Sequence, residues 1–265
     1  MIVPLELTGL TKTFPTPSGP LVAVKNVNFR VERREFVCIL GHSGCGKSTI
    51  LSIIAGLQRS TEGGVVIDGK EVTTPGADRA VVFQTPCLLP WMTARENVRL
   101  AVQRARPKLS RALQIADAER YLELGAVADA SQRLPGELSL GTQQCVSLAR
   151  ALALEPRFLL LDEPFSMLDS LTRFELQDTL LRVWEQKRRI VVMVTHDIDE
   201  ALYLADRLVL MTDGPEARVG EILSVPFPRP RARAAVLADP QYYASRRRII
   251  DFLEHHGRQF GPAAA

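Results

Sequence analysis

Short apolar runs recur along this chain, and each stops abruptly at polar or charged residues. Phe36-Val37-Cys38-Ile39-Leu40, Arg79-Ala80-Val81-Val82-Phe83-Gln84, Arg157-Phe158-Leu159-Leu160-Leu161-Asp162 and Arg189-Ile190-Val191-Val192-Met193-Val194-Thr195 are too short for helices and predict buried strands of an open α/β sheet. Residues 5–31 follow a different pattern. Apolar and polar positions alternate there (Val22, Val24, Val27, Phe29, Val31) around a Pro/Gly/Ser loop from Pro15 to Pro20, which predicts antiparallel strands joined by a hairpin. Glu62 to Gly69 reads as a turn, a short strand and a second turn, and further short strands are expected over 207–222 around Asp213-Gly214. Helical periodicity marks Asn97 to Arg106, Leu113 to Leu124, Val146 to Leu154, Ser170 to Lys187 and Tyr242 to His255. The stretch between Gln84 and Arg157 holds no convincing strand, so it reads either as a helical insertion within the sheet domain or as core helices of that domain.

The chemistry sits at the ends of the apolar runs. After Leu40 comes Gly41-His42-Ser43-Gly44-Cys45-Gly46-Lys47-Ser48-Thr49, followed by the apolar helix start Ile50-Leu51. Strand, glycine-rich loop and helix in that order form the context of a Walker A phosphate loop. The glycines let successive backbone N–H groups turn inward as an anion cradle, and the helix adds its positive end. Lys47 is then placed to neutralise terminal phosphates and Ser48 to coordinate magnesium. The pair Asp162-Glu163 ends a wholly apolar strand, a costly place for two acids unless a cation or catalysis uses them. Asp162 is assigned to the magnesium shell and Glu163 to the attacking water as general base. Gln84 and His196 end two more strands; each is either a plain polar terminus or a contact to metal, water or γ-phosphate.

Ser139-Leu140-Gly141 opens a helix, with Ser139 as N-cap and a second possible anion site, while Asp169 or Ser170 caps the next helix. Phe14 lies 27 positions ahead of the phosphate loop and is either an adenine-stacking aromatic or a core residue at a strand end. Pro86 to Met92 is unusually apolar for a loop and precedes a capping-box spacing at Thr93-Ala94-Arg95-Glu96, so it is expected to pack on something. Cys45, at a helix start, is expected to have a lowered thiol pKa.

Composition changes this picture little. Charged residues make up 24% of the 265, apolar ones 46%, and the net charge is +3, which is ordinary for a globular protein and too small to argue for nucleic acid. No apolar run approaches the roughly 20 residues of a spanning helix, and Met1 to Glu6 lacks the features of a signal peptide. A cytosolic protein seated on a membrane partner is the expectation. Cysteines at 38, 45, 87 and 145 have no metal-type spacing. From Val225 the chain becomes Pro/Arg-rich, and Arg246-Arg247-Arg248 is either a contact for anionic lipid or a solvated helical face.

With all these motifs in order, the chain resembles an ABC transporter ATP-binding subunit over roughly residues 5 to 225. The resemblance implies an α/β fold: a P-loop NTPase (RecA-like) core with an N-terminal antiparallel β subdomain and an inserted α-helical subdomain. Residues 1–225 then form the ATP-binding domain, with the helical subdomain at about 88–155, and residues 226–265 form a C-terminal extension. It further implies ATP and Mg2+ as cofactors, with Phe14 on adenine, residues 41–49 on the phosphates, Ser48, Gln84 and Asp162 on the metal, Gln84 as Q-loop, Ser139 and Gly141 as signature, Asp169 as D-loop and His196 as switch histidine. The implied partners are a second ATP-binding subunit, identical or closely homologous, placed head to tail, together with permease subunits and, indirectly, a solute-binding protein. Peripheral attachment to the cytoplasmic face of the membrane follows. The signature departs from the family's Leu-Ser-Gly-Gly-Gln: Leu140 replaces a glycine, Thr142 an amide, and Cys145 a usually basic residue.

Within the family, Pro75-Gly76-Ala77-Asp78-Arg79, Leu88-Leu89-Pro90-Trp91-Met92-Thr93 and Asp197-Ile198-Asp199-Glu200-Ala201 look like the nitrate, sulfonate and bicarbonate importers. The tail, with Pro226 to Arg231, Asp239 to Tyr243 and Asp251-Phe252-Leu253, is more similar to the nitrate, bicarbonate and cyanate branch. The implied function is an ATPase (Glu163, Lys47, His196 and Gln84 catalytic) energising uptake of a small anion. The alternatives are a sulfonate/taurine importer ATPase, an ATP-binding module with little hydrolysis, and a soluble ABC protein without a transport role.

Overall fold

The protein is described from a computed structural model that covers residues 4–187 and 189–256; Met1 to Val3 and the last nine residues of the extension lie outside the described residues. Its strands are β1 (Leu5–Thr16), β2 (Gly19–Val31), β3 (Phe36–Leu40), β4 (Glu62–Ile67), β5 (Lys70–Glu71), β6 (Arg79–Val82), β7 (Phe158–Asp162), β8 (Ile190–Thr195), β9 (Arg207–Met211) and β10 (Val219–Ser224). Its α-helices are α1 (Lys47–Ala55), α2 (Ala94–Ala105), α3 (Arg111–Leu124), α4 (Leu140–Ala153), α5 (Ser170–Lys187), α6 (Ile198–Leu204), α7 (Arg233–Ala238) and α8 (Pro240–His256). The chain divides into two compact units, residues 1–75 with 192–265, and residues 76–191.

In the first unit β1 pairs antiparallel with β2 (Leu5 opposite Val31, Phe14 opposite Leu21) and with β4 (Leu5 opposite Ile67). The hairpin expected from the alternating pattern is present, with its strands reaching further into the Pro/Gly loop than the pattern indicated. β3 runs parallel to β9, Leu40 opposite Leu210, and β10 returns antiparallel to β9. All five residues of β3 and all six of β8 are buried, as continuous apolar runs demand when both faces of a strand are covered. α1 starts where the phosphate loop ends and stops at Gly56, whose N–H reaches back to the Ile53 carbonyl, a left-handed glycine C-cap.

The second unit holds the parallel pair β6 and β7 (Arg79 opposite Phe158) with α2, α3, α4 and α5. α2 opens with a full capping box: Thr93 accepts from the Glu96 N–H, and Glu96 accepts from Thr93. One turn on, the fully buried Asn97 accepts from Leu89 N–H at 2.8 Å and donates to the carbonyls of Leu89, Met92 and Thr93. Arg150 of α4 donates to the Cys87 carbonyl at 2.7 Å. The apolar loop is thus pinned through its backbone from within, while the Trp91 side chain is 70% exposed. Two short helices, α6 and α7, were not expected from the periodicity, since seven and six residues carry too few turns to show one.

Removing the capping hydroxyl with Thr93→Ala is expected to destabilise the second unit by about 1 kcal/mol, measured as a lower urea midpoint with an unchanged m-value.

Candidate functional site

The phosphate loop is built around a lysine folded back on its own loop. Lys47 is the first residue of α1, only 4% exposed, and its Nζ donates to the carbonyls of Gly41 at 2.7 Å and His42 at 2.8 Å. Those acceptors compensate a desolvated ammonium and hold its chain across the loop. The loop can close this way because Gly46 has φ 88, a left-handed conformation open to glycine, and because a Cβ there would collide with the Val24 side chain. Gly41 has a different reason: a Cβ would come within 2.8 Å of Cys45 Sγ and 3.1 Å of Met211 Cβ. Ser43, Gly44 and Ser48 lie on the exposed side of the loop, and Thr49 is half-buried in the first turn of α1.

Two features of the loop were not legible in the motif. His42 Nδ1 lies 2.8 Å from Asp213 Oδ1, so the loop is braced by the segment after β9. No local pattern signals a partner 171 positions away. Cys45 also differs from its expectation. Its side chain is buried, with Lys47 Nζ 3.9 Å from Sγ, and burial raises the thiol pKa against the lowering effect of Lys47. Desolvation, which disfavours the thiolate, outweighs the helix start.

Phe14 is half-buried on β1, with the Lys12 ammonium 5.1 Å from its ring centroid. His196 follows the last residue of β8 and is exposed; the buried Thr195 before it accepts from the Asp197 N–H at 3.0 Å, and Asp197 caps α6.

The second unit gathers the remaining candidates. β7 carries Asp162 as its last residue, and Glu163 follows in the left-handed region at φ 45. A glutamate is rarely found there, and such local cost concentrates where a side chain must be aimed. Gln84 Nε2 donates to Glu163 Oε2 at 3.1 Å, so the ends of the runs following β6 and β7 meet. Behind Gln84, the buried Gln144 of α4 donates to the Phe83 carbonyl at 2.9 Å. Within this unit, the oxygens of Gln84 and Asp162 are hard donors of the kind that magnesium prefers.

Ser139 caps α4, accepting from Thr142 N–H at 3.1 Å, and its Oγ lies 2.8 Å from Thr142 Oγ1. The threonine that departs from the family pattern therefore engages the signature serine directly. Leu140 is 54% exposed, whereas Cys145 is buried, its thiol pushed up to about 12 by desolvation; that departure lies in the packing. Gly141 faces Leu168, where a Cβ would sit 3.2 Å from Cδ2. Next to it, Asp169 caps α5 by accepting from Leu171 and Thr172 N–H at 3.1 Å each. Hydrogen bonds from Thr172 hold its carboxyl below the usual range.

Residues 24–166, just over half of the chain, match the profile of the ABC transporter family. The chain belongs to that family. Among curated relatives, this ABC protein is 52% identical to the nitrate import ATP-binding protein NrtD of Synechococcus elongatus over 91% of its own length and 88% of the relative's. It is 49% identical to the bicarbonate transport ATP-binding protein CmpD of a Synechocystis species, over 94% and 88%. The solved structure of the ATP-binding cassette MJ0796, a dimer in a post-hydrolysis state bound to ADP and Pi, superposes with a TM-score of 0.77 at 34% identity, covering 84% of this chain and 99% of that one. The fold is that of a P-loop NTPase, as the resemblance implied, and this ABC protein is an ATPase by its kinship. Among the described residues no helix is long and apolar enough to cross a membrane.

Alkylation by iodoacetamide at pH 8 should label the exposed Cys87 first and Cys45 slowly, with Cys45 labelling accelerating only as pH rises toward its elevated pKa; peptide mass mapping over time checks this.

Proposed function

We propose that the chain is the ATP-hydrolysing subunit of an importer for a small anion such as nitrate or bicarbonate. The observation that carries the chemistry is the Gln84–Glu163 contact at the carboxyl ends of two neighbouring parallel strands, where ligands of α/β sheets bind. The anion assignment rests on relatives named for nitrate and bicarbonate that run nearly the whole length of this chain at about half identity. In the proposed architecture residues 1–225 form the ATP-binding domain, with a helical subdomain at about 88–155, and 226–265 are the extension.

In this reading the backbone of residues 41–49 cradles the ATP phosphates, Lys47 releases part of its loop contact to reach the β- and γ-phosphates, and Phe14 stacks on adenine. Ser48, Gln84 and Asp162 would hold magnesium, which would withdraw charge from the phosphate oxygens. Glu163 accepts a proton from the attacking water as that oxygen bonds to γ-phosphorus and the bond from γ-phosphorus to the β,γ-bridging oxygen breaks, so that ADP leaves with that oxygen and phosphate is released. His196 hydrogen-bonds the γ-phosphate and keeps water and Glu163 in register. Gln84 steers the carboxylate by donating to one of its oxygens, which leaves the amide oxygen for the metal. Ser139 and Gly141 of a second subunit close on the nucleotide, with Asp169 near the same junction. Permease subunits take up the work at the membrane's cytoplasmic face, and a solute-binding protein supplies the anion.

A second reading, an ATP-binding module with little hydrolysis, draws on exposed Leu140 and on Thr142 engaging Ser139. Phosphate release separates the two. Glu163→Gln is expected to keep ATP affinity and lose at least about 100-fold in turnover, accumulating a closed dimer visible by gel filtration; normal turnover in that variant refutes the role of Glu163.

For the transported solute, ATP hydrolysis by the complex with its permease and binding protein should rise with nitrate, bicarbonate or cyanate and not with taurine. Stimulation by taurine alone refutes the anion assignment and leaves the ATPase intact.

A further inference from the structure

α6 begins two residues after His196 and is only seven residues long. A helix of two turns does not hold itself in water, because nucleation is costly and few hydrogen bonds repay it. Its support comes from the C-terminal extension, which grips it at both ends. At the start, Asp197 Oδ1 accepts from the N–H groups of Asp199 and Glu200 at 2.9 and 3.0 Å, and the Asp199 carboxylate in turn accepts from Tyr242 OH and Arg246 Nε of α8, each at 2.8 Å. At the finish, Arg231 donates to the carbonyls of Tyr203 at 2.9 Å and Ala205 at 2.7 Å, and Arg229 to that of Leu204 at 2.6 Å. Those are the carbonyls a helix end leaves without intrahelical partners.

The grip is built into the interior. The Arg231 side chain is 1% exposed, Phe227, Tyr242 and Ile249 are buried, and the Arg233 guanidinium stacks 3.9 Å from the Tyr203 ring centroid. Arg229 also pairs at 2.7 Å with Asp206, whose other oxygen accepts from the Phe36 N–H at the start of β3. Burial raises the Tyr242 phenol, so its proton stays available to Asp199 across the physiological range. The arginine run of α8 is correspondingly committed: Arg246 to Asp199 and Arg248 to Glu221. Two of the three charges that a lipid contact would use are paired within the chain, at its surface.

We propose that Tyr242, Arg246 and Asp199 are positioning residues for His196: the extension fixes the first turn of α6, and through the Asp197 cap it fixes the backbone that aims the histidine. This rests on the reading of His196 as the γ-phosphate contact. A positioning role predicts a loss in the chemical step without a loss in nucleotide binding, which a brace for folding alone does not produce.

The test compares the full-length wild type with Tyr242→Phe and Asp199→Ala, and with Asp199→Glu as the conservative rescue. Phosphate release gives kcat and KM, a fluorescent ATP analogue gives affinity, and a thermal scan gives the midpoint. Tyr242→Phe should lower kcat by about 3-fold to 10-fold and Asp199→Ala by about 10-fold or more, with analogue affinity and midpoint unchanged and with partial recovery in Asp199→Glu. Wild-type kcat in both variants overturns the inference, as does a loss of kcat that tracks lost affinity and a lowered midpoint. A wild type that binds the analogue and releases no phosphate overturns the ATPase reading itself, and this inference with it.

Discussion

A lysine ammonium out of water needs acceptors, and at Lys47 the carbonyls of Gly41 and His42 supply them. Leaving such a charge uncompensated costs several kcal/mol, so the loop must curl until those carbonyls face inward. The same curl sets the start of α1, places Ser48 in its first turn and brings Cys45 under the loop. It also dictates what lies beneath: Met211 and Cys45 leave no room for a side chain at position 41, and Val24 leaves none at 46. β9, β2 and the segment carrying Asp213 are arranged to fit a loop of that shape.

The second unit solves a different problem, that of holding polar groups at the ends of apolar strands. Glu163 occupies a backbone conformation glutamate seldom adopts, and Gln84 and the residues after it lie beyond regular strand. Fixed side chains from helices supply what the strands lack there. Gln144 holds Phe83, Arg150 holds Cys87, and Asn97 holds three carbonyls and an N–H of the loop that follows. Asn97 and Gln144 are buried and Arg150 is half-buried, so the apolar loop bearing Trp91 is tied to α2 and α4, and α4 carries both the contact behind Gln84 and the cap at Ser139. That chain of contacts is a physical link between the apolar loop and the Gln84–Glu163 pair.

The signature of this chain departs from the family's without losing its hydroxyl or its glycine. Cys145 is absorbed into packing, while Thr142 supplies a second oxygen to Ser139 within the cap. An N-cap serine that already has two local partners is held in one orientation, which favours a preformed contact over a flexible one.

How far this was legible in the residue order depends on the range of the interaction. The phosphate loop, the strand-end acids, the N-caps at Ser139 and Asp169 and the capping box at Thr93 are encoded by neighbours within a few positions, where glycine freedom, apolar runs and cap chemistry act directly. Those were determined by the sequence, as were the strands and longer helices, whose periods span enough residues to be read. The tertiary structure alone decided the rest: the brace from Asp213 to His42, the burial that raises the Cys45 thiol against its helix start, and the commitment of Arg246 and Arg248 to Asp199 and Glu221. In each of these the deciding partner, or the surrounding that excludes water, comes from a distant part of the chain. Desolvation and side-chain pairing depend on distance in space, and only the folded chain sets it.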